Sequence, residues 1–234
     1  MTENKADLPQ NHNTLRERVG KSLLDNKVSI LGAILIVLFI DQIFKFTFPD
    51  LVFWGIPLAL LAIWLISWIK KVRWSDLGLY RPESWSKTIK MALFAMLIVQ
   101  IVGTLQFTLS KSPQDLSSYQ EAMTPWGLLR WIVIAWTTAG FGEEIIWRGF
   151  FMKQIARLFD EQKRSSWVIG LVLSSIGFGL VHFHQGIGGI VGNVFVGLVF
   201  GIFYLRSGRN LWVPIIAHGL TGTLRFIMVF ISQL

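Results

Sequence analysis

The 234-residue chain contains no cysteine. That excludes a disulfide framework, a thiol nucleophile, thiolate zinc sites and iron–sulfur clusters. Charge is also scarce, at 15% of residues, where a soluble domain carries about 25%. What fills the chain instead is apolar: 53% hydrophobic residues, with eleven Trp and eighteen Phe. A water-soluble globule of this size could not hide so much apolar surface, which argues against a soluble enzyme, a nucleic-acid binder and a disordered chain. The formal net charge is +8. In a membrane protein such an excess reports orientation rather than affinity for nucleic acid.

Residues 1–27 are polar and read as a cytoplasmic tail, with a surface helix around 15–24. They hold no apolar core and no small-residue cleavage site of a removable signal peptide. Apolar runs follow at 28–48, 51–69 and 90–109. A fourth opens at 126–140, meets charge at Glu143 and Glu144, and resumes over 145–159. The last three cover 167–182, 187–205 and 211–231. A spanning helix needs about 20 mostly apolar residues, so the expected fold is all-α and polytopic, with about seven to eight transmembrane helices around a buried polar site. The chain divides into the tail, an N-terminal membrane part (28–110) and a membrane core (111–234). The basic clusters at Lys70–Arg73, Lys153–Arg164 and Arg206–Arg209 alternate with loops nearly free of Lys and Arg. That alternation places the N-terminus in the cytoplasm. The expected location is a bacterial plasma membrane, with lipid bilayer on all sides. The stretch 74–82 reads as an amphipathic inner-surface segment or elbow. Gly188/Gly192 and Gly197/Gly201 make small-xxx-small spacings, which suit close helix packing or a narrow substrate groove beside that helix.

Ionisable groups at membrane depth cost about 2.5–3.5 kcal/mol each on insertion scales, so each needs an account. Asp41 and Lys45 are four apart near a helix end and read as a structural pair. In Gly140-Phe-Gly-Glu-Glu-Ile-Ile-Trp-Arg-Gly149, Glu144 and Arg148 stand four apart with the acid first, the better orientation for a helical ion pair. Glu143 points about 100° away and is left over. An unpaired carboxylate in low dielectric holds its proton more tightly, as a general base working near neutral pH must. The alternative is a purely structural network of all three. Of the four histidines, His12 lies in the tail, His182 ends a run one turn after Phe178, His184 follows, and His218 lies inside the last run. One Glu and two His can hold a water between them or form a two-His, one-carboxylate metal site. Either arrangement activates water for attack on a carbonyl.

Together these residues resemble the CPBP family of intramembrane proteases (CAAX protease and bacteriocin-processing, or Abi). EExxxR stands as Glu143, Glu144 and Arg148; FxxxH as Phe178 and His182; the glycine-spaced helix as Asn193 to Gly201; and the final HxxxN/D only as His218. Leu77 to Pro82 is similar to the family's lead-in. The resemblance implies hydrolysis of a peptide bond in a membrane-anchored peptide or protein, lipidated and CAAX-like in some members. In that scheme Glu143 is the base, His182 its partner, His218 orients water or stabilises the oxyanion, and Arg148 holds Glu144. The cofactor stays open between metal-free glutamate chemistry and a divalent metal such as zinc on Glu143, His182 and His218. The chain departs from the family at Gly222, where an Asn or Asp donor is missing. Asn193, Arg225, Thr221 and Thr223 are candidates to replace it. Arg225, seven residues after His218, could instead tie up Glu143 and make the chain a degenerate binding or immunity protein. A small transporter using Glu143 as proton carrier is a third reading, without an inverted repeat to support it. No nucleic acid partner is expected, and the sequence leaves the oligomeric state open.

Overall fold

The computed structural model describes residues 26–47, 54–110 and 124–232, with side chains except at 41, 44–47 and 106–110. Among them are seven helices longer than one or two turns and no strand. They are α1 (Lys27–Thr47), α2 (Gly55–Ile69), α3 (Trp85–Ser110), α4 (125–158), α5 (Arg164–Leu180), α6 (Gly186–Arg206) and α7 (Trp212–Ile231). Parts of α3, α6 and α7 are long and apolar enough to cross a bilayer, and α1, α2 and α5 include shorter apolar stretches. Large apolar side chains such as Phe39, Phe94, Leu180 and Met228 are exposed on the helix surfaces. That is the pattern of a bundle solvated by lipid. The chain is an all-α membrane protein. The surface helix expected at 15–24 and the Asp41–Lys45 pair lie outside the described residues or side chains.

The fourth run, interrupted in the sequence by two glutamates, is one continuous helix. Thr124 caps it, its hydroxyl accepting from the Gly127 N–H at 3.0 Å, and Pro125 takes the first turn, where a missing N–H costs nothing. The helix widens to π-helical geometry over Ala135–Glu143 and Ile145–Met152, a departure found mostly at functional sites. Charge does not break it, because the buried charges find partners on the neighbouring helices. The segment expected to be amphipathic or an elbow is an elbow: a single 3-10 turn, Trp74–Leu77, closed by Gly78 at φ 101°. A Cβ on Gly78 would lie 2.6 Å from the Arg209 carbonyl, so only glycine fits.

This elbow ties three basic segments to one end of the bundle. Lys153 Nζ donates to the Asp76 carbonyl at 2.6 Å, Tyr80 Oη to the Gly208 carbonyl at 2.8 Å, and Asn210 Nδ2 to the Tyr80 carbonyl at 3.0 Å. The Leu211 N–H donates to the Gly78 carbonyl at 2.9 Å. Exposed tryptophans mark both ends, Trp68, Trp74 and Trp85 at the basic end and Trp54 and Trp126 at the other, as aromatic belts do at membrane interfaces.

One apolar cluster joins α1 and α2 to Trp147, Phe150 and Phe151 of α4. Another joins α3, α6 and α7 through Ala92, Phe200 and Ala217. Gly197 and Gly201 serve close packing: a Cβ on either would press on Ser175 or Leu171 of α5. The helices also set the depth of the polar residues. Gly149 lies against Leu77 and Leu211, and from that level Glu144 stands about 8 Å and His218 about 10 Å further in, at 1.5 Å per residue. Leu171 packs level with Gly201 and Met152, which puts His182 about 12 Å in on the same scale. A continuous α4 thus brings Glu143, His182 and His218 to one depth.

Candidate active site

Glu144 is fully buried on α4. Its Oε1 accepts from Arg148 Nη1 at 2.9 Å, the pair read from the i,i+4 spacing. Arg148 is itself buried, and its Nη2 donates to the Gly197 carbonyl of α6 at 3.2 Å. Its guanidinium carbon lies 4.8 Å from the Phe178 ring centroid and 5.7 Å from that of Phe200. Two aromatic faces and a carbonyl therefore share the desolvation of this cation with the carboxylate.

The same oxygen of Glu144 has a second partner that spacing gave no sign of. His218 Nδ1, from α7, donates to Glu144 Oε1 at 2.8 Å. A carboxylate only accepts, so Nδ1 carries a proton and Nε2 is turned away from Glu144. His182 is fixed in the same tautomer by other means: its Nδ1 donates to the Phe178 carbonyl at 2.7 Å. Helix α5 ends at Leu180, so His182 sits in the turn beyond the helix. Phe178 is the hub, its ring 4.8 Å from the His182 ring and 6.3 Å from the His218 ring. The FxxxH spacing thus has a physical content, one aromatic side chain packed against both imidazoles and the buried guanidinium.

Glu143, adjacent to this network, is half-buried. Among the described residues no hydrogen bond reaches its side chain, and Arg148 pairs with Glu144 instead. His218 is bonded to Glu144 and not to Glu143. Glu144 Oε2 is buried without a hydrogen-bond partner, both donors having gone to Oε1.

The structure separates the four oxyanion candidates. Both Nδ2 hydrogens of Asn193 are committed, to Gln185 Oε1 at 3.0 Å and to the Gly189 carbonyl at 2.8 Å. The Thr221 hydroxyl donates to the Ala217 carbonyl and the Thr223 hydroxyl to the Gly219 carbonyl, and Thr223 Oγ1 also accepts from Trp136 Nε1. Arg225 is exposed two turns beyond His218. Gly222 is a packing residue, since a Cβ there would lie 2.8 Å from Ala135 Cβ.

Anchored through Nδ1, His182 and His218 have the outer hydrogen bonds that ligating histidines usually have. Yet among the described residues no three His, Asp or Glu side chains are grouped to hold an ion.

An open, largely apolar groove of about 510 Å³ runs along α4, lined by Trp126, Leu129, Arg130, Val133, Ile134 and Thr138. It ends five residues before Glu143. Sequence reasoning missed this groove and the Glu144–His218 bond, which no local period encodes.

Residues 125–224 match the family model described as type II CAAX prenyl endopeptidase, Rce1-like. The matched stretch begins at the first residue of α4 and takes in Glu143, Glu144, Arg148, Phe178, His182, Asn193 and His218. No curated protein and no solved structure matches the chain.

Proposed function

We propose, on the premise that residues 125–224 are a domain of the Rce1-like family of CAAX prenyl endopeptidases, that this protein hydrolyses a peptide bond of a lipid-anchored substrate with a water activated by Glu143 and His182. The family supplies the coarse statement, a CAAX-type membrane endopeptidase. One observation supports the finer one: two imidazoles, one from the turn after α5 and one from α7, are held through Nδ1 around Phe178, and Glu143, next in sequence to the carboxylate that holds one of them, has no hydrogen bond among the described residues.

Each group then has a task that its protons permit. The water lies between Glu143 and the Nε2 of His182, which accepts one of its hydrogens. Glu143 takes the other proton as the water oxygen bonds to the scissile carbonyl carbon, and the carbonyl electrons move onto oxygen. When the tetrahedral intermediate collapses, the C–N bond breaks and the proton held by Glu143 passes to the leaving amine. The products are a carboxylic acid and an amine, and the acid then gives its proton to the amine or to solvent. His218, held through Nδ1 by Glu144, orients the water or a substrate polar group. The apolar groove along α4 suits the lipid anchor, and the basic end of the bundle faces the cytoplasm.

The test is cleavage of a lipidated-cysteine peptide by the purified protein in liposomes. Glu143→Gln should abolish cleavage and leave the melting temperature unchanged. Cleavage at the wild-type rate by that variant would overturn the reading. Cellular activity that survives it would favour a docking protein using the same cavity.

A further inference from the structure

The hydrolytic reading leaves one requirement unmet. A tetrahedral intermediate needs a hydrogen-bond donor aimed at its oxyanion, and loss of such a donor typically costs about 10²–10³-fold in kcat. Gly222 offers no side chain, the two threonine hydroxyls and the Asn193 amide are spent on other acceptors, Arg225 is exposed two turns beyond His218, and the Nδ1 protons of both imidazoles are committed to the Phe178 carbonyl and to Glu144.

A primary amide does remain. Gln185 lies in the 3-10 turn Phe183–Gln185 that joins His182 to α6, its backbone N–H bonded to the His182 carbonyl at 2.9 Å. The orientation of its amide is set by its neighbours. The Gly189 carbonyl can only accept, so the end of Asn193 that faces it is Nδ2. The same Nδ2 reaches Gln185, so the atom facing Asn193 is the Gln185 oxygen. Gln185 Nε2 is therefore turned the other way, toward His184 Nε2 at 3.5 Å, and the His184 ring lies 6.0 Å from the ring of His182. Gly189 makes room for this arrangement, since a Cβ there would run into Gln185 Cβ. On α6 the residues Gly189, Asn193 and Gly197 follow at intervals of four and share a face. That face meets the site at Gly197, whose carbonyl binds Arg148, and beside it Phe200 packs 5.3 Å from the His218 ring. Gln185 is exposed.

We infer that the Gln185 side-chain amide is the oxyanion donor of this protein, with Asn193 as the residue that positions it. The inference rests on the hydrolytic reading above. It assigns to the α5–α6 turn the donor that the family's pattern would place at 222.

The experiment measures kcat, KM and melting temperature in liposomes on the same lipidated-cysteine peptide. Gln185→Met, similar in length but without a donor, should lower kcat about 10²–10³-fold with KM unchanged. Gln185→Glu keeps the oxygen that Asn193 bonds and replaces the donor by an acceptor, so it should fall at least as far; it serves if the methionine variant folds poorly. Asn193→Asp removes the donor to Gly189 and lets the Gln185 amide turn, so it should lower kcat on its own. In the Gln185→Met background it should add nothing, a non-additivity that a merely structural role would not produce. Wild-type kcat in Gln185→Met, with Glu143→Gln inactive, overturns this inference and leaves the hydrolytic reading standing. Wild-type cleavage by Glu143→Gln overturns both.

Discussion

Neutralising Glu144 separates folding from chemistry, because its single bonded oxygen serves both. In Glu144→Gln the amide oxygen can keep one of the two donors now on Oε1, and the amide nitrogen falls where the unpartnered Oε2 lies. What disappears is the negative charge opposite a guanidinium whose side chain is 2% exposed. Breaking a buried pair by removing one partner costs about 3–5 kcal/mol. The Gly197 carbonyl and the Phe178 and Phe200 faces still attend Arg148, which favours the lower end of that range. For a chain of this length that is a fall of roughly 6–20 °C in Tm, at about 2–4 °C per kcal/mol. The decisive variant is Glu144→Gln with Arg148→Met. With both charges gone, much of the lost stability should return, since replacing a whole buried pair by apolar groups is often neutral. Cleavage should not return with it, because the carboxylate that orients His218 is still absent, a loss worth up to about 10⁴-fold in the analogous carboxylate–histidine arrangement. Thermal unfolding in detergent and single-turnover cleavage in liposomes read the two quantities separately. A single variant within about 2 °C of wild type, or a double variant as unstable as the single, would refute the argument that the pair is held together by charge.

Two further outcomes test the packing and the orientation. Gly222→Asn should destabilise the protein by about 1–3 kcal/mol, as overpacking does, because Ala135 occupies the space, and Ala135→Gly should recover part of the loss in thermal unfolding; a stable, more active Gly222→Asn would show that α7 has room there. A cysteine placed at Ser117 in this cysteine-free chain should react with a membrane-impermeant maleimide from outside intact cells and one at Ser165 should not, the reverse labelling overturning the cytoplasmic placement of the basic end.

What could be read from sequence was local. Run length predicts the helices to within a few residues, except that α3 starts at Trp85, ahead of the expected 90, because Ser84 caps it from a polar stretch. The Glu144–Arg148 pair and the Phe178–His182 contact both follow from a spacing of four, although His182 lies just past the helix end. The alternation of basic loops predicts that they share one end of the bundle, and the bonds of Asp76, Tyr80 and Asn210 show that they do. The rest depends on how helices meet. Nothing within five residues of His218 signals a carboxylate 74 positions earlier in the chain, and nothing at Gln185 signals that Asn193 orients it. Asn193 itself drew attention as a lone amide on a glycine-rich helix, but its partners decide that it is a holder rather than a free donor.

The glycine that departs from the family's pattern has a geometric counterpart in the site. Helix α7 meets the π-helical part of α4 through Gly219 and Gly222, where Cβ atoms would collide with the Trp136 ring and with Ala135, and from the α4 side through Gly140, where a Cβ would press on the Ile215 carbonyl and the Gly219 nitrogen. His218 precedes Gly219 directly, so the separation of the two backbones at that crossing sets how far its imidazole stands from Glu144. A short side chain such as histidine can make the 2.8 Å bond to Glu144 only if the helices are this close. A larger residue at 222 would hold α7 away from α4 and lengthen that bond first. Gly222 therefore keeps the helix contact on which the Glu144–His218 bond depends.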